Sequence, residues 1–110
     1  MRIALTGVSG FLGAAMARAL HGQGHQVTGL VRATSRRDHT EPYVDRFVVG
    51  DHADQTCWPA LLDGADCVVH NSIDWSMMWP EPPHTAEHLR SNLEASVLLL
   101  RESAPGQFIY

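Results

Sequence analysis

The sequence predicts an α/β fold built on a doubly wound parallel sheet. Three observations lead there: a short apolar run at the N-terminus that breaks at a cluster of glycines, further short apolar runs bounded by turn residues, and helix-like stretches between them. Strands that alternate with helices pair as parallel neighbours through right-handed crossovers.

Arg2 to Thr6 is the first strand, and the apolar spacing Leu12, Ala15, Met16, Ala19, Leu20 predicts a helix from Phe11 to His21. Gly22 and Gly24 stop it, and Gln26 to Val31 restarts as a strand, which completes a βαβ unit. Thr34 to Tyr43 is polar and aperiodic, a surface loop or a poorly formed helix. Arg46 to Gly50 is a third strand. A short helix follows within Asp54 to Leu62, and Pro59, which suits only a first turn, allows it to start as late as Trp58. After a turn at Gly64, Cys67 to His70 is a fourth strand, apolar enough to be covered on both faces. Residues 71 to 84 carry three prolines and read as a loop with an apolar middle of Trp75, Met77, Met78 and Trp79, placed either to line a pocket or to pack under further structure. Leu89, Leu93, Val97 and Leu100 mark the apolar stripe of a long amphipathic helix from Thr85 to Ser103, stopped by Pro105-Gly106. Gln107 to Tyr110 opens a fifth strand, and the sheet is expected to be truncated within it, its open edge suited to pairing with another chain as a homo-oligomer.

The composition narrows the function. The chain is 45% hydrophobic and 18% charged with a formal net charge of −4, and its eight basic residues, all arginine, are scattered. No basic stripe is there to offset phosphates, so no nucleic-acid partner is expected. No run approaches the roughly 18 apolar residues of a membrane span, and the chain begins with a strand and a glycine turn, so no membrane partner and a cytoplasmic location are expected. Cys57 and Cys67 show no pairing pattern and suit reduced thiols. His84 and His88 share a metal-ligand spacing, but without an HExxH order or a third ligand no metal is assigned.

The chemistry concentrates in Thr6-Gly7-Val8-Ser9-Gly10-Phe11-Leu12-Gly13, a TGxxGxxG pattern that follows the first strand and opens the first helix. Gly7 permits the sharp turn, Gly10 lets a pyrophosphate approach the backbone, and Gly13 lets the helix pack close to the strand, with the free amides and the positive end of the helix facing the phosphates. In this βαβ context the sheet is Rossmann-type, and residues 1–110 form an NAD(P)-binding domain in which Gly7, Ser9, Gly10, Phe11, Leu12 and Gly13 contact the dinucleotide. A purely structural glycine turn is the alternative. NAD-selective sites place a carboxylate about 20 residues beyond the glycines for the ribose hydroxyls, whereas an arginine there accommodates a 2′-phosphate. Arg32 ends the second strand, Arg36 and Arg37 follow, and no carboxylate takes that place. NADP is therefore favoured over NAD.

The spacing differs from the GxGxxG of classical dehydrogenases and resembles the extended short-chain dehydrogenase/reductase family, which includes the NAD-dependent epimerases and dehydratases. The resemblance runs along the chain through Leu30-Val31-Arg32, Gly50-Asp51, His70-Asn71-Ser72-Ile73, Asn92 and Gln107-Phe108-Ile109-Tyr110. It implies that Asp51 accepts a hydrogen bond from the adenine amino group, with His52 beside it along the base, although Asp51 is also suited to cap the next helix. It implies that Asn71 and Ser72 line the ribose and nicotinamide side, at the carboxyl end of the fourth strand. His70, on the strand itself, is expected to be packed rather than catalytic. Asn92 is a poor helix former at mid-helix; the resemblance implies that it lies near the catalytic site and helps order it, and a solvent-facing position is the alternative.

The family's acid/base pair, a tyrosine with a lysine four residues on, has no counterpart, because the sequence holds no lysine. No catalytic residue is assigned. The expectation is the cofactor-binding N-terminal portion of an oxidoreductase, epimerase or dehydratase, whose parent transfers hydride to or from a small-molecule carbonyl, alcohol or nucleotide sugar; the alternative is a dinucleotide-binding or sensing module without turnover.

Overall fold

The computed structural model describes residues 1–76, 84–103 and 106–110. Five strands, β1 (Arg2–Leu5), β2 (Gln26–Val31), β3 (Arg46–Val49), β4 (Cys67–Val69) and β5 (Gln107–Ile109), form one parallel sheet in the order β3-β2-β1-β4-β5. The register sets Ile3 beside Val27 and Cys67, and Val68 beside Phe108. The order reverses at β1: the chain winds outward through β2 and β3, then returns to the other side of β1 as β4. Such a reversal parts the loops that leave adjacent strand ends and opens a crevice at their carboxyl edge.

Alternate residues along each strand feed opposite faces, and both faces are covered. Ala4, Leu30, Val48 and Val68 point to one side, where they meet Trp58 and Leu61 of α2 (Trp58–Leu62) and Leu99 of α4 (Ala95–Glu102). Leu5, Val27 and Val31 point to the other, against Val8, Val44 and Ala17 of α1 (Phe11–Gly22). Leu5, Leu61 and Leu99 are wholly buried, a contribution of about 1.5–3 kcal/mol for each side chain removed from water.

The elements lie where the sequence predicts them, with three differences. Thr34 to Tyr43 forms a loop with a single 3-10 turn at Glu41–Tyr43, and a second 3-10 turn at Gln55–Cys57 leads into α2. The helix expected from Thr85 to Ser103 is interrupted: α3 (Thr85–Leu89) passes through a π-helical turn at Arg90–Glu94 before α4. Its buried face is also not the expected one. Leu89, Leu93, Val97 and Leu100 are about half exposed, while Asn92, Ala95, Ser96 and Leu99 face the sheet. Burial here follows small size and hydrogen bonding as well as hydropathy, because each polar member finds a partner inside. Met77, Met78, Trp79 and Pro105 lie outside the described residues. No helix among the described residues is long and apolar enough to cross a membrane.

Candidate functional site

A cleft of about 410 Å³ opens at the carboxyl edge of the sheet, at the β1–β4 switch point. Four of the five strand ends contribute one wall each. The turn after β1 supplies Gly7, Ser9, Gly10, Phe11 and Leu12; β2 supplies Arg32, with Ser35 beyond it. Asp51 and His52 follow β3, and Asn71, Ser72, Asp74 and Trp75 follow β4. Gly13 is buried beneath the cleft.

The glycine turn is shaped by backbone contacts. Gly7 adopts φ +68°, a left-handed conformation that a side chain resists, and a Cβ on it would lie 2.6 Å from the Asn71 carbonyl oxygen. A Cβ on Gly13 would lie 2.0 Å from the Gly7 carbonyl oxygen, so α1 meets the end of β1 backbone to backbone. Gly10 differs. Its φ of −77° is open to any residue, and a Cβ there would touch only the Gly7 oxygen, at 3.3 Å. No side chain caps the start of α1 and its first turn holds no acidic residue. The first-turn amides and the positive end of a twelve-residue helix therefore meet the cleft without an anion from the protein. Phe11, the first helical residue, is 97% exposed beside them.

At the end of β2, Ser35 Oγ accepts from the Arg32 amide at 3.2 Å and turns the chain around the exposed Arg32 side chain. Of the three arginines in this loop, Arg32 lines the cleft. Arg36 pairs with Asp38 at 3.2 Å, which holds that carboxyl below the usual carboxylate range, and Arg37 lies over the Phe47 ring at 5.4 Å. His39 Nε2 donates to the Ser9 carbonyl at 2.9 Å and ties the loop to the glycine turn.

Asp51 Oδ1 accepts from the Ala53 amide at 2.9 Å, and the cap of the following 3-10 turn is Asp54, whose carboxylate takes the Thr56 amide. The helix-capping alternative for Asp51 is thus filled by a neighbour. His52 reaches the cleft wall, but its ring is buried and its Nε2 donates to the Ser91 carbonyl at 2.9 Å, in the π-helical turn.

The fourth wall depends on Asn92. This side chain is buried, not solvent-facing: its Oδ1 accepts from the Asp74 amide at 2.7 Å and its Nδ2 donates to the Asp74 carbonyl at 2.9 Å, as a neighbouring strand would. Asp74 in turn accepts from the Ser76 amide, and the Ser76 hydroxyl, with that amide and more distant Arg32 and His52, holds its carboxyl below the ordinary range. The Trp75 ring lies 5.8 Å from that of His88. Sequence reasoning missed Leu30, Val31, Ser35, Gly50, Ile73 and Asp74 as lining residues; for Ser35 the available signal was a serine three residues after a strand end, a turn-closing position.

Thr6 and His70 sit behind these walls. Thr6 Oγ1 accepts from the amides of Asn71 at 2.9 Å and Ser72 at 3.1 Å and contacts His70 Nδ1 at 2.8 Å, while His70 Nε2 contacts Ser96 Oγ at 2.8 Å. Burial, with His52 beside it, pushes the His70 imidazole down to about 4. His70 is a packed residue, as the sequence predicts, although β4 ends one residue before it.

The chain resembles known proteins in the same terms. A 3-diazoavenalumate denitrifying reductase of Streptomyces is 31% identical over 103 residues, covering 91% of this chain and 33% of that protein. The structure of the Bordetella bronchiseptica enzyme WbmH in complex with NAD+ superposes with a TM-score of 0.75 at 26% identity, over 99% of this chain and 38% of WbmH. A short-chain dehydrogenase/reductase superfamily protein from Agrobacterium tumefaciens with bound NAD gives 0.75 at 25% identity, over 98% and 31%. The chain spans about a third of each, and 8% of an uncharacterized Mycobacterium tuberculosis protein that is 40% identical over 70 residues. A family model matches residues 3–105, and the chain belongs to the NAD dependent epimerase/dehydratase family.

Proposed function

We propose that the cleft binds a nicotinamide dinucleotide and that the chain is the cofactor-binding portion of an oxidoreductase, epimerase or dehydratase acting on a carbonyl, alcohol or nucleotide-sugar substrate. The observation that carries this reading is the bare start of α1, with uncapped amides and a Gly10 whose missing Cβ leaves the backbone open to a pyrophosphate. The cleft volume is within the range of ordinary small-ligand sites. Gly7, Ser9, Gly10, Phe11 and Leu12 would hold the pyrophosphate side, Asp51 the adenine, and Asn71 and Ser72 the nicotinamide ribose. The bound nicotinamide would supply or accept hydride; the residues of this chain bind, orient and enclose it. NAD accompanies the two structural relatives named above. Arg32, with no carboxylate at the end of β2, supports NADP as the preferred form for this chain.

Calorimetry of the intact protein with NADP and NAD tests both parts. Gly10→Val abolishes binding of either dinucleotide while the circular dichroism spectrum stays native, since the Gly10 backbone suits any residue and only the ligand space is lost. Arg32→Ala weakens NADP about tenfold and leaves NAD unchanged, as expected for one lost charge-assisted contact. Normal binding by Gly10→Val makes the glycine turn structural only; tighter NAD binding, indifferent to Arg32, removes the NADP preference. The alternative reading is dinucleotide binding without turnover. Failure of the intact protein to oxidise NADPH with any carbonyl substrate, with binding retained, would support it.

A further inference from the structure

The contacts of Thr6 and Ser96 decide where the His70 proton sits. A threonine hydroxyl has one proton and two acceptor lone pairs. Both lone pairs of Thr6 Oγ1 are taken, by the Asn71 and Ser72 amides, so its proton points at His70 Nδ1, which must be bare. The far side of the ring gives the same answer independently. Ser96 donates its proton to the Asn92 carbonyl one helical turn back, so toward His70 it accepts, and Nε2 carries the hydrogen. A ring protonated at Nδ1 would leave the wholly buried Thr6 oxygen facing three donors with no acceptor for its own proton.

We infer that His70 is a positioning residue whose single neutral tautomer locks the glycine turn after β1 to the backbone that follows β4. Thr6 immediately precedes Gly7, and Asn71 and Ser72 line the cleft, so the lock fixes the separation of two adjoining walls. The hydroxyl can bind both amides only while an acceptor stands at Nδ1. Ser96 anchors the ring through Nε2, and Asn92, whose carbonyl takes the Ser96 proton, clamps Asp74 on the same segment. The titratable side chains that face the ring are His52, at a centroid distance of 5.6 Å, and Tyr110, at 5.7 Å. Neither takes part in the chain of hydrogen bonds. That the locked walls floor a dinucleotide site rests on the function proposed above.

Two readouts on the intact protein test the lock with no ligand. Nitrogen NMR of histidine-labelled protein should show His70 as a neutral ring, bare at Nδ1 and protonated at Nε2, at pH 7; a proton on Nδ1 overturns the inference. Amide hydrogen exchange at Asn71 and Ser72 should accelerate about tenfold or more in His70→Gln, whose amide reaches Ser96 but offers Thr6 nothing, and in Thr6→Val, which removes the hydroxyl from two part-buried amides. His70→Asn restores an acceptor where Nδ1 stands, and Thr6→Ser restores the hydroxyl, so both should recover protection to within about threefold of wild type. Dinucleotide affinity should follow the same order. Unchanged exchange in His70→Gln overturns the inference; if that variant does not fold, the nitrogen spectrum of the wild type still decides. Exchange that follows the expected order in a protein binding neither NAD nor NADP supports the lock and overturns the dinucleotide reading instead.

Discussion

One substitution made twice in the same helix should act with opposite signs. At Gly13 an added Cβ would lie 2.0 Å from the Gly7 oxygen, 2.7 Å from the Gly7 carbonyl carbon and 2.9 Å from Val8 Cα, all backbone atoms that no rotamer change can move. Real Cβ contacts stay above 3.0 Å, so the start of α1 must retreat from the end of β1 by about 1 Å. That shift unseats Val8 and Ala17, both wholly buried. Overpacking of this kind costs up to about 3 kcal/mol, and the gain of about 1 kcal/mol from replacing glycine by alanine in a helix leaves a net loss of about 2 kcal/mol. At Gly22, the last residue of α1, a Cβ would meet nothing within 4 Å and the φ is not left-handed, so alanine should stabilise by about 0.4–1 kcal/mol through the unfolded chain. Urea unfolding of the intact protein, followed by circular dichroism, should therefore place Gly13→Ala below wild type and Gly22→Ala above it. Dinucleotide affinity should fall in the first alone. Equal midpoints for the two variants, or Gly13→Ala at the wild-type midpoint with normal binding, would refute close backbone packing as the reason for Gly13.

Acid should weaken the fold through His70. Its folded-state value of about 4 lies below the ordinary 6.5, so the unfolded chain binds the proton more readily; the stabilisation is complete above pH 6.5 and falls away as the pH drops toward 4. At about 1.4 kcal/mol per pH unit the loss is about 3 kcal/mol, to be read from unfolding midpoints between pH 7 and 4 and reduced in His70→Asn. Asn92→Ala should cost about 2 kcal/mol by leaving the Asp74 amide and carbonyl without their partner, with faster amide exchange at Asp74 as the local signature. Burial pushes both thiols up, at Cys57 with help from the Asp54 carboxylate, so neutral alkylating reagents at pH 7 should label Cys57 and Cys67 slowly in the folded protein and rapidly once it is unfolded; fast native labelling would contradict their placement.

Much of this arrangement was legible from residue types. Short apolar runs gave the strands, and the TGxxGxxG order gave the turn, because few residues besides glycine tolerate the Gly7 conformation or the Gly13 contact. Three strands end one residue earlier than hydropathy predicts, at Leu5, Val49 and Val69, although the amides of Thr6, Gly50 and His70 still bond the carbonyl of a neighbouring strand. The orientation of the last helix was not legible. Periodicity selects the greasiest stripe, yet the buried face contains Asn92 and Ser96, whose burial is offset by partners from segments 18 to 26 residues away. No local pattern records such partners. The Thr6–His70–Ser96 chain escaped for the same reason: three ordinary polar residues acquire a joint role only when the fold brings positions 64 and 26 residues apart into contact.

The π-helical turn at Arg90–Glu94 makes the last helix sensitive to chain length rather than to hydropathy. Deleting Ala95, just past that turn, would leave the turn intact and swing everything after it by about 100°. Val97 would then arrive in the place of Ser96, and Leu100 in that of Leu99. By composition the interior would be better, more apolar and free of a buried hydroxyl. It would also be mute toward His70, whose Nε2 proton would meet a methyl group. A helix of this kind can be retuned side chain by side chain, but it cannot lose a residue without losing its place in the polar circuit behind the cleft.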